Sequence, residues 1–214
     1  MLLPSRCPVC DAVGPAPCPA CRGALRRAPA ARPPPGVDTC AAAFVYEGVG
    51  RELVARLKYR NARAAVPFLA SAIAALVDPS AVDVVTWAPT AAARRRGRGF
   101  DQAQVLARAV ARCLRRPCRS LLHRRPGSPC QTGRTLAERR RGPAFDARCR
   151  VTGRVLVIDD IVTSGATVAA AAAALREGGA ASVGVAVAAR TPPPRGRRTL
   201  GEGASRSSAG GNLP

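Results

Sequence analysis

The 214-residue sequence predicts an α/β fold, with a central, mostly parallel sheet flanked by helices and a small cysteine-rich module at the start. Residues 82–87, 155–158 and 181–189 are mainly apolar runs that predict buried strands, and 155–158 has no polar alternation, which is typical of a strand buried on both faces. Helical patterns separate these runs, as parallel strands require, because their connection must cross over the sheet. Two C-x-x-C pairs precede all of them and indicate a separate, metal-stabilised module.

The composition limits the classes of protein to which the chain can belong. Hydrophobic residues make up 47% and aromatic residues 3%, so we expect a core of Ala, Val and Leu. The net charge of +21 is compatible with a nucleic-acid partner, although the basic residues are dispersed and a general compositional bias can account for part of them. The sequence has no uninterrupted apolar stretch of about 18 residues, so it predicts no membrane helix. The first residues also lack the pattern of a signal peptide, so we expect a cytoplasmic protein.

Four cysteines open the chain as two C-x-x-C pairs separated by seven residues: Cys7, Cys10, Cys18 and Cys21. Four thiolates at such spacing can close a tetrahedral zinc site, and four protein ligands make that site structural. The alternatives are unrelated cysteines or a redox pair, although a redox C-x-x-C usually occurs once, near a strand–helix junction. We expect zinc to supply most of the folding free energy of this module. The Pro/Ala/Arg-rich residues 26–36 then predict a linker.

The middle of the chain predicts alternating elements and two basic loops. Strands are expected at 40–46, 82–87 and 118–122, and helices at 49–59, 67–77 and 102–114. The loop at 94–103 contains four arginines, whose guanidinium groups can bind a pyrophosphate, although a solvated basic loop is an equal alternative. Residues 123–141 contain Gly, Ser and Pro among many arginines and predict a mobile basic flap, with a short helix at 135–141.

The most informative stretch is residues 154–168, which predict a strand, two acids and a small-residue loop leading into a helix at 168–177. Asp159 and Asp160 are expected at the carboxyl end of the strand, where open α/β sheets bind ligands. The following loop predicts an anion site, because its N–H groups converge at a helix N-terminus. Its residues are Thr163, Ser164, Gly165, Ala166 and Thr167. Together, two carboxylates and an anion site suit a ribose 5-phosphate unit.

Residues 155–167 resemble the phosphoribosyl pyrophosphate (PRPP) signature of type I phosphoribosyltransferases, which has four hydrophobic residues, two acids and a Thr/Gly-rich loop. An ordinary βα unit with an acidic turn is the simpler alternative. A P-loop is excluded because no G-K-[S/T] follows. The resemblance implies the type I phosphoribosyltransferase fold. It also implies that the two acids hold the ribose hydroxyls, directly or through Mg²⁺, and that the loop holds the 5-phosphate.

The whole arrangement resembles the competence protein F (ComF) family of phosphoribosyltransferase-like proteins, which begin with a zinc-ribbon-like module. The shared features occur in the family's order: the four cysteines, Leu57-Lys58-Tyr59, Pro89, residues 98–103, Gln131 with Glu138-Arg139, and the PRPP signature. The predicted organisation is a zinc module and linker at 1–36, a phosphoribosyltransferase-like domain at 37–190 and a disordered tail at 191–214.

The ComF resemblance assigns further site residues. Ala88 and Pro89 would belong to the pyrophosphate loop, with Arg94 and Arg98 nearby, and Arg139 would act from the flap over the reacting centre. Two positions depart from the family, which usually has Asn where this chain has Asp101 and Gly142. An aspartate beside a pyrophosphate would repel it unless an arginine paired with it.

Two functions follow as hypotheses. The first is Mg²⁺-dependent transfer of a phosphoribosyl group from PRPP to an unidentified acceptor, with release of pyrophosphate. The second is a non-catalytic PRPP- or nucleotide-sensing, DNA-associated component of DNA uptake, because the ComF family is linked to natural competence. Its expected partners are single-stranded DNA or proteins of the competence machinery, and a homo-oligomer is compatible with both hypotheses.

Overall fold

The computed structural model describes residues 6–59, 63–92, 96–97, 99–125 and 143–192. Its strands are β1 (Thr39–Val45), β2 (Val84–Trp87), β3 (Leu122–Arg124), β4 (Phe145–Ala147), β5 (Arg154–Val162) and β6 (Ser182–Arg190). Its helices are α1 (Pro19–Gly23), α2 (Gly48–Tyr59), α3 (Val66–Ala74), α4 (Gln102–Leu114) and α5 (Ala166–Glu177). Short 3-10 turns lie at Arg63–Ala65 and Pro79–Ala81. The predicted α/β class is confirmed.

Four parallel strands form the central sheet in the order β1–β6–β5–β2. One face packs against α2, α3 and α4 through buried residues such as Leu57, Leu69 and Leu106. The other face packs against α5, where Leu175 lies with Val157 in a second apolar cluster. Both faces are therefore covered, and this explains why the strand sequences lack polar alternation.

Strand β5 is longer than its sequence predicts. It was expected to end at residue 158, but it continues through both acids to Val162. Ile161 and Val162 stay in register with Ala189 and Arg190 of β6, so backbone pairing with that long neighbour keeps the chain extended. On its other side, β5 is paired with β2 only as far as Ile158, which lies opposite Trp87. The acids therefore lie within β5 but immediately beyond the end of β2.

The segment around the predicted flap is anchored by a two-stranded antiparallel sheet of β3 and β4. The strand predicted at 118–122 is wrong in position, since Cys118 forms only an isolated bridge with Val85 and the strand begins at Leu122. Arg125, just after β3, forms an ion pair with Asp146 of β4, which lowers the pKa of the Asp146 carboxyl. The predicted flap is wrong at its start, because His123 and Arg124 belong to β3. The rest of it, with its short helix, lies in residues 126–142, which the structure does not describe.

Residues 26–36, predicted as a linker, pack against the sheet. The N–H of Val45 donates to the carbonyl of Arg26 at 2.9 Å, so this segment runs beside the end of β1. Further along, Arg176 on α5 donates to the Gly36 carbonyl at 2.9 Å and to the Asp38 carboxylate. Among the described residues, no helix has both the length and the apolar character needed to cross a membrane.

Candidate active site and metal centre

The two acids of β5 lie beside the turn that follows β2. Asp160 is buried, with 9% of its surface exposed, and Asp159 is half-buried. The backbone N–H of Asp160 donates to Oδ1 of Asp159 at 2.8 Å, which fixes the Asp159 carboxylate against its own strand. The last β2–β5 pair, Trp87 with Ile158, places Ala88 and Pro89 next to this carboxylate pair at the carboxyl edge of the sheet.

The predicted phosphate loop connects β5 directly to α5. Gly165 adopts a left-handed conformation with φ of +80° and is the N-cap of the helix. The first turn of α5 has no acidic residue, so the positive end of the helix dipole is not neutralised there. Residues 161–168 line a small pocket at this helix end. Thr163 and Ser164 are exposed, so backbone donors and hydroxyl groups are both accessible to an anion.

Gly165 has a role that its sequence context does not predict. A Cβ atom at this position would lie 2.7 Å from Cγ of Pro34, in the segment predicted as a linker. The glycine was expected to let the backbone approach a phosphate, but its missing side chain also makes room for Pro34. The N-terminal segment therefore packs directly against the phosphate loop.

We expect Gly165→Ala to destabilise the protein by about 2–4 kcal/mol. Left-handed backbone costs a residue with a Cβ about 1–2 kcal/mol, and displacement of Pro34 adds a packing penalty of similar size. Urea unfolding of the variant measures the effect. Gly97→Ala is the matched control, because a Cβ at that glycine would meet nothing within 4 Å and its φ is not left-handed. Equal destabilisation by the two substitutions would contradict this account.

Asp101 determines the shape of the turn that follows β2. Its buried carboxylate accepts hydrogen bonds from Thr90 N–H at 2.9 Å and Thr90 Oγ1 at 3.1 Å. It also caps α4 by accepting from Ala103 N–H at 3.1 Å and Gln104 N–H at 3.4 Å. Asp101 was expected to repel a pyrophosphate unless an arginine paired with it. In the structure its charge is instead held by four donors from the turn and the helix.

The structure thus brings together the predicted Ala88, Pro89, Asp159 and Asp160 with the loop at 163–167. Three other predicted site residues, Arg94, Arg98 and Arg139, lie outside the described residues. Sequence analysis treated Asp101 only as a departure from the family and missed its positioning role. The signal was present, since an aspartate immediately before a helical pattern is a typical N-cap.

The four N-terminal cysteines form one cluster. All four Sγ atoms lie within 4.8 Å of one another, and those of Cys10 and Cys18 are 3.6 Å apart. A tetrahedral site with Zn–S bonds of about 2.3 Å requires sulfur atoms about 3.8 Å apart, so the cluster has the dimensions of such a site. The N–H of Cys18 also donates to Sγ of Cys7 at 3.4 Å. The four cysteines could hold a structural zinc ion.

The protonation of these thiols differs within the cluster. Burial raises the pKa of Cys7, but hydrogen bonds from the backbone of Cys10, Cys18 and Val9 outweigh it and lower the pKa to about 6. Burial and the neighbouring thiols raise the pKa of Cys21 to about 12. Without a cation, the opposite shifts mean that the cluster ionises only in part, because thiolates so close together repel one another. A divalent metal would offset this repulsion, because cysteines bind a metal as thiolates.

The cysteine cluster packs against the helices through a few side chains. Cys7, Cys18 and Cys21 are buried. Val9 of the module and Val49 of α2 pack against them. The guanidinium of Arg22 lies 5.2 Å from the ring centre of Phe68 on α3. This apolar cluster is small, so a metal would have to provide much of the stability of the module.

Comparison with known proteins agrees with the geometry of the sheet. Residues 130–199 match the family model described as the phosphoribosyl transferase domain. This segment includes β4, β5, the phosphate loop, α5 and β6. No curated protein gives a significant match to the chain. Residues 130–199 are therefore similar to a phosphoribosyl transferase domain, within a parallel α/β sheet, and a four-cysteine cluster lies near the start of the chain.

Proposed function

We propose that the protein binds PRPP with Mg²⁺ at the carboxyl edge of its sheet and transfers the phosphoribosyl group to an acceptor, releasing pyrophosphate. One observation carries the proposal. The strand that carries Asp159 and Asp160 continues through residues 163–165 directly into the N-terminus of α5, beside the turn that follows β2. A ribose carrying a 5-phosphate and a pyrophosphate has hydroxyl and phosphate groups that suit these three positions.

Each position has a proposed role. Asp159 and Asp160 bind the ribose hydroxyls, and the loop at 163–167 binds the 5-phosphate through backbone N–H and hydroxyl groups. The turn at Ala88 and Pro89 receives the pyrophosphate. Arg94 and Arg98 are proposed to contact the same group, and Arg139 to reach it from the flap.

The carboxylate oxygens of Asp159 and Asp160 also suit Mg²⁺, which prefers hard oxygen ligands and commonly binds one or two carboxylates together with substrate oxygens. When bound, Mg²⁺ would supply positive charge to the departing pyrophosphate. Bond breaking leaves positive charge on the sugar, so the two acids next to the ribose would stabilise it. The arginines would stabilise the leaving group in the same way from the other side.

A second candidate function is non-catalytic sensing of PRPP or a nucleotide by a DNA-associated protein, as the ComF resemblance implies. The net charge of +21 favours it, because cationic side chains bind phosphate backbones without sequence preference. In both cases we propose that Cys7, Cys10, Cys18 and Cys21 hold a structural zinc ion and that the protein works in the cytoplasm.

The decisive measurement is calorimetric binding of PRPP with Mg²⁺, combined with an assay for pyrophosphate release. We expect the Asp159→Asn/Asp160→Asn double variant to bind PRPP at least 100-fold more weakly, because both charged ligands are lost. Glu177→Gln removes an exposed acid at the end of α5 and is the matched control, expected to bind as the wild type does.

The outcomes separate the candidate functions. Binding followed by pyrophosphate release with an acceptor supports transfer, whereas binding without turnover across a broad acceptor panel supports sensing. Absence of PRPP binding would refute both. For the DNA-associated function, affinity for single-stranded DNA should fall steeply between low and moderate salt, and a salt-independent affinity would argue against it.

A further inference from the structure

An open groove of about 510 Å³ lies along α4 and the segment that follows this helix. Its lining residues are Val105, Arg108, Ala111, Arg112, Arg116 and Cys118. None of them belongs to the candidate active site or to the four-cysteine cluster. Cys118 forms a bridge with Val85 of β2, so the groove lies at the β2 edge of the sheet, and we call it the β2-edge groove.

Two arginines of this groove carry charge that no acid compensates. Arg108 and Arg112 are exposed, and in the described part of the chain neither side chain has an ion pair or a hydrogen bond. Helix α4 itself contains no Asp or Glu. Arg108 lies close enough to Cys118 to oppose the rise in the pKa of that thiol which burial causes, so its charge acts on the groove. Both guanidinium groups are therefore available to an anion.

The third arginine of the groove is held in place by the backbone. Arg116 is half-buried and donates to the Pro79 carbonyl from Nε at 3.1 Å and from Nη2 at 2.8 Å. Its charge is partly compensated, because after the hydrogen bonds from Arg154 it contributes to the lowered pKa of Asp83. Arg116 thus offers a fixed donor at the groove, next to two side chains that are free to adjust.

The other lining residues indicate which kind of polyanion suits the groove. Val105, Ala111 and Cys118 are small, and no aromatic side chain lines the groove among the described residues. Protein partners usually dock on aromatic or large apolar anchors, and single-stranded nucleic acids stack their bases on aromatic rings. The groove offers neither. Arginines on an open surface are instead typical of contacts with the phosphates of a duplex.

The helical geometry favours duplex DNA over duplex RNA. Arg108 and Arg112 are about one turn apart, or about 6 Å along the axis of α4, so both can contact the backbone of one strand. The major groove of B-form DNA is about 12 Å wide and accommodates an exposed helix, whereas the major groove of A-form RNA is too narrow for side chains to enter. Arg116 adds a third donor to the same surface.

We propose that the β2-edge groove binds the phosphate backbone of duplex DNA without sequence preference, through Arg108, Arg112 and Arg116. Guanidinium groups replace the counterions of the phosphates, and no covalent bond is made or broken. The groove is separate from the site proposed for PRPP, and its role does not rest on PRPP binding or transfer. The duplex also differs from the single strand expected for the second candidate function.

Fluorescence anisotropy on the full-length protein tests the choice of partner. The probes are two short DNA duplexes of unrelated sequence, a single strand and an RNA duplex of the same length, and a Glu-rich peptide. We expect the two DNA duplexes to bind within about 3-fold of each other and at least about 3-fold more tightly than the other probes. Three phosphate contacts predict a slope of log affinity against log salt of about −3 or steeper. A single strand, an RNA duplex or a peptide bound as tightly as duplex DNA overturns the proposal.

A double substitution assigns the binding to the groove. Arg108→Gln/Arg112→Gln should weaken duplex binding at least about 10-fold at low salt and make the salt slope shallower by about 2, one for each lost phosphate contact. Neither side chain has a hydrogen bond in the described part of the chain, so the variant should unfold at the same denaturant concentration as the wild type. Arg51→Gln/Arg150→Gln is the matched control, since it removes the same charge from exposed positions outside the groove. Equal losses in the two variants would show a general charge effect and overturn the proposal.

PRPP binding separates this inference from the proposed function. The Arg108→Gln/Arg112→Gln variant should bind PRPP within about 3-fold of the wild type, because the groove shares no residue with that site. Duplex binding by a protein that does not bind PRPP would refute the transfer function and support this inference. PRPP binding by a protein with no affinity for duplex DNA would refute this inference alone.

Discussion

Removal of the proposed zinc ion is expected to unfold residues 6–25 while the sheet keeps its fold. Apparent binding free energies of structural zinc sites are about 10–16 kcal/mol, and little else stabilises this module. Its described apolar cluster contains three buried cysteines with Val9 and Val49, and α1 has only five residues. Hydrogen exchange of the chelated protein should therefore show loss of protection confined mainly to the module.

Cysteine substitutions provide the controls for the metal. Wild-type protein should contain about one zinc per chain by elemental analysis. Cys7→Ser/Cys21→Ser should contain none and should lose protection in the same residues. Cys113→Ser, at an exposed position on α4, should keep both metal and protection. A zinc-free protein with full exchange protection at 6–25 would refute the structural metal.

Replacement of Asp101 by alanine is expected to lower the free energy of unfolding by about 2–4 kcal/mol. Loss of an N-cap costs about 1 kcal/mol, and a partly buried N–H left without its acceptor at Thr90 adds about 1–3 kcal/mol. Asp101→Asn keeps one acceptor oxygen and should cost about 1 kcal/mol. Chemical denaturation measures both. We also expect weaker PRPP binding by the alanine variant, because the turn at Ala88 and Pro89 is no longer held to α4.

Asp78→Ala is the matched control for this prediction. Asp78 accepts from Ser80 N–H at 2.8 Å and caps a 3-10 turn, but it is exposed and remote from the candidate site. Its loss should have a smaller effect on stability and none on PRPP affinity. An Asp101→Ala variant as stable as the Asp78→Ala variant would contradict the positioning role of Asp101.

Local sequence patterns predicted the elements whose formation depends on local chemistry. Helix α4 was predicted with the bounds Gln102–Leu114 that the structure has, because Asp101 caps it and its apolar face is regular. The start of α5 was predicted two residues late, since Ala166 and Thr167 were assigned to the loop. The cysteine cluster was also predicted from spacing alone and is confirmed as a group of four.

Contacts between residues far apart in sequence explain where the structure differs from the sequence predictions. Strand β5 extends past residue 158 because β6 pairs with it through Val162, and no local pattern contains that information. Strand β4 was missed because its three residues are extended only through pairing with β3. The contact of Pro34 with Gly165 joins residues far apart in sequence, so neither residue predicts it alone.

The pairing of β1 with β6 also constrains how the chain can fold during synthesis. In the described sheet, the first strand made by the ribosome pairs with the last, from Thr39 opposite Gly184 to Val45 opposite Arg190. Those backbone donors and acceptors of β1 that face β6 must wait until β6 is made, and such non-local contacts slow folding. A nascent chain ending before Ser182 would therefore expose β1 and one edge of β5 together. We therefore expect the nascent chain to be most prone to aggregation if translation pauses after β5 is made and before β6 is made.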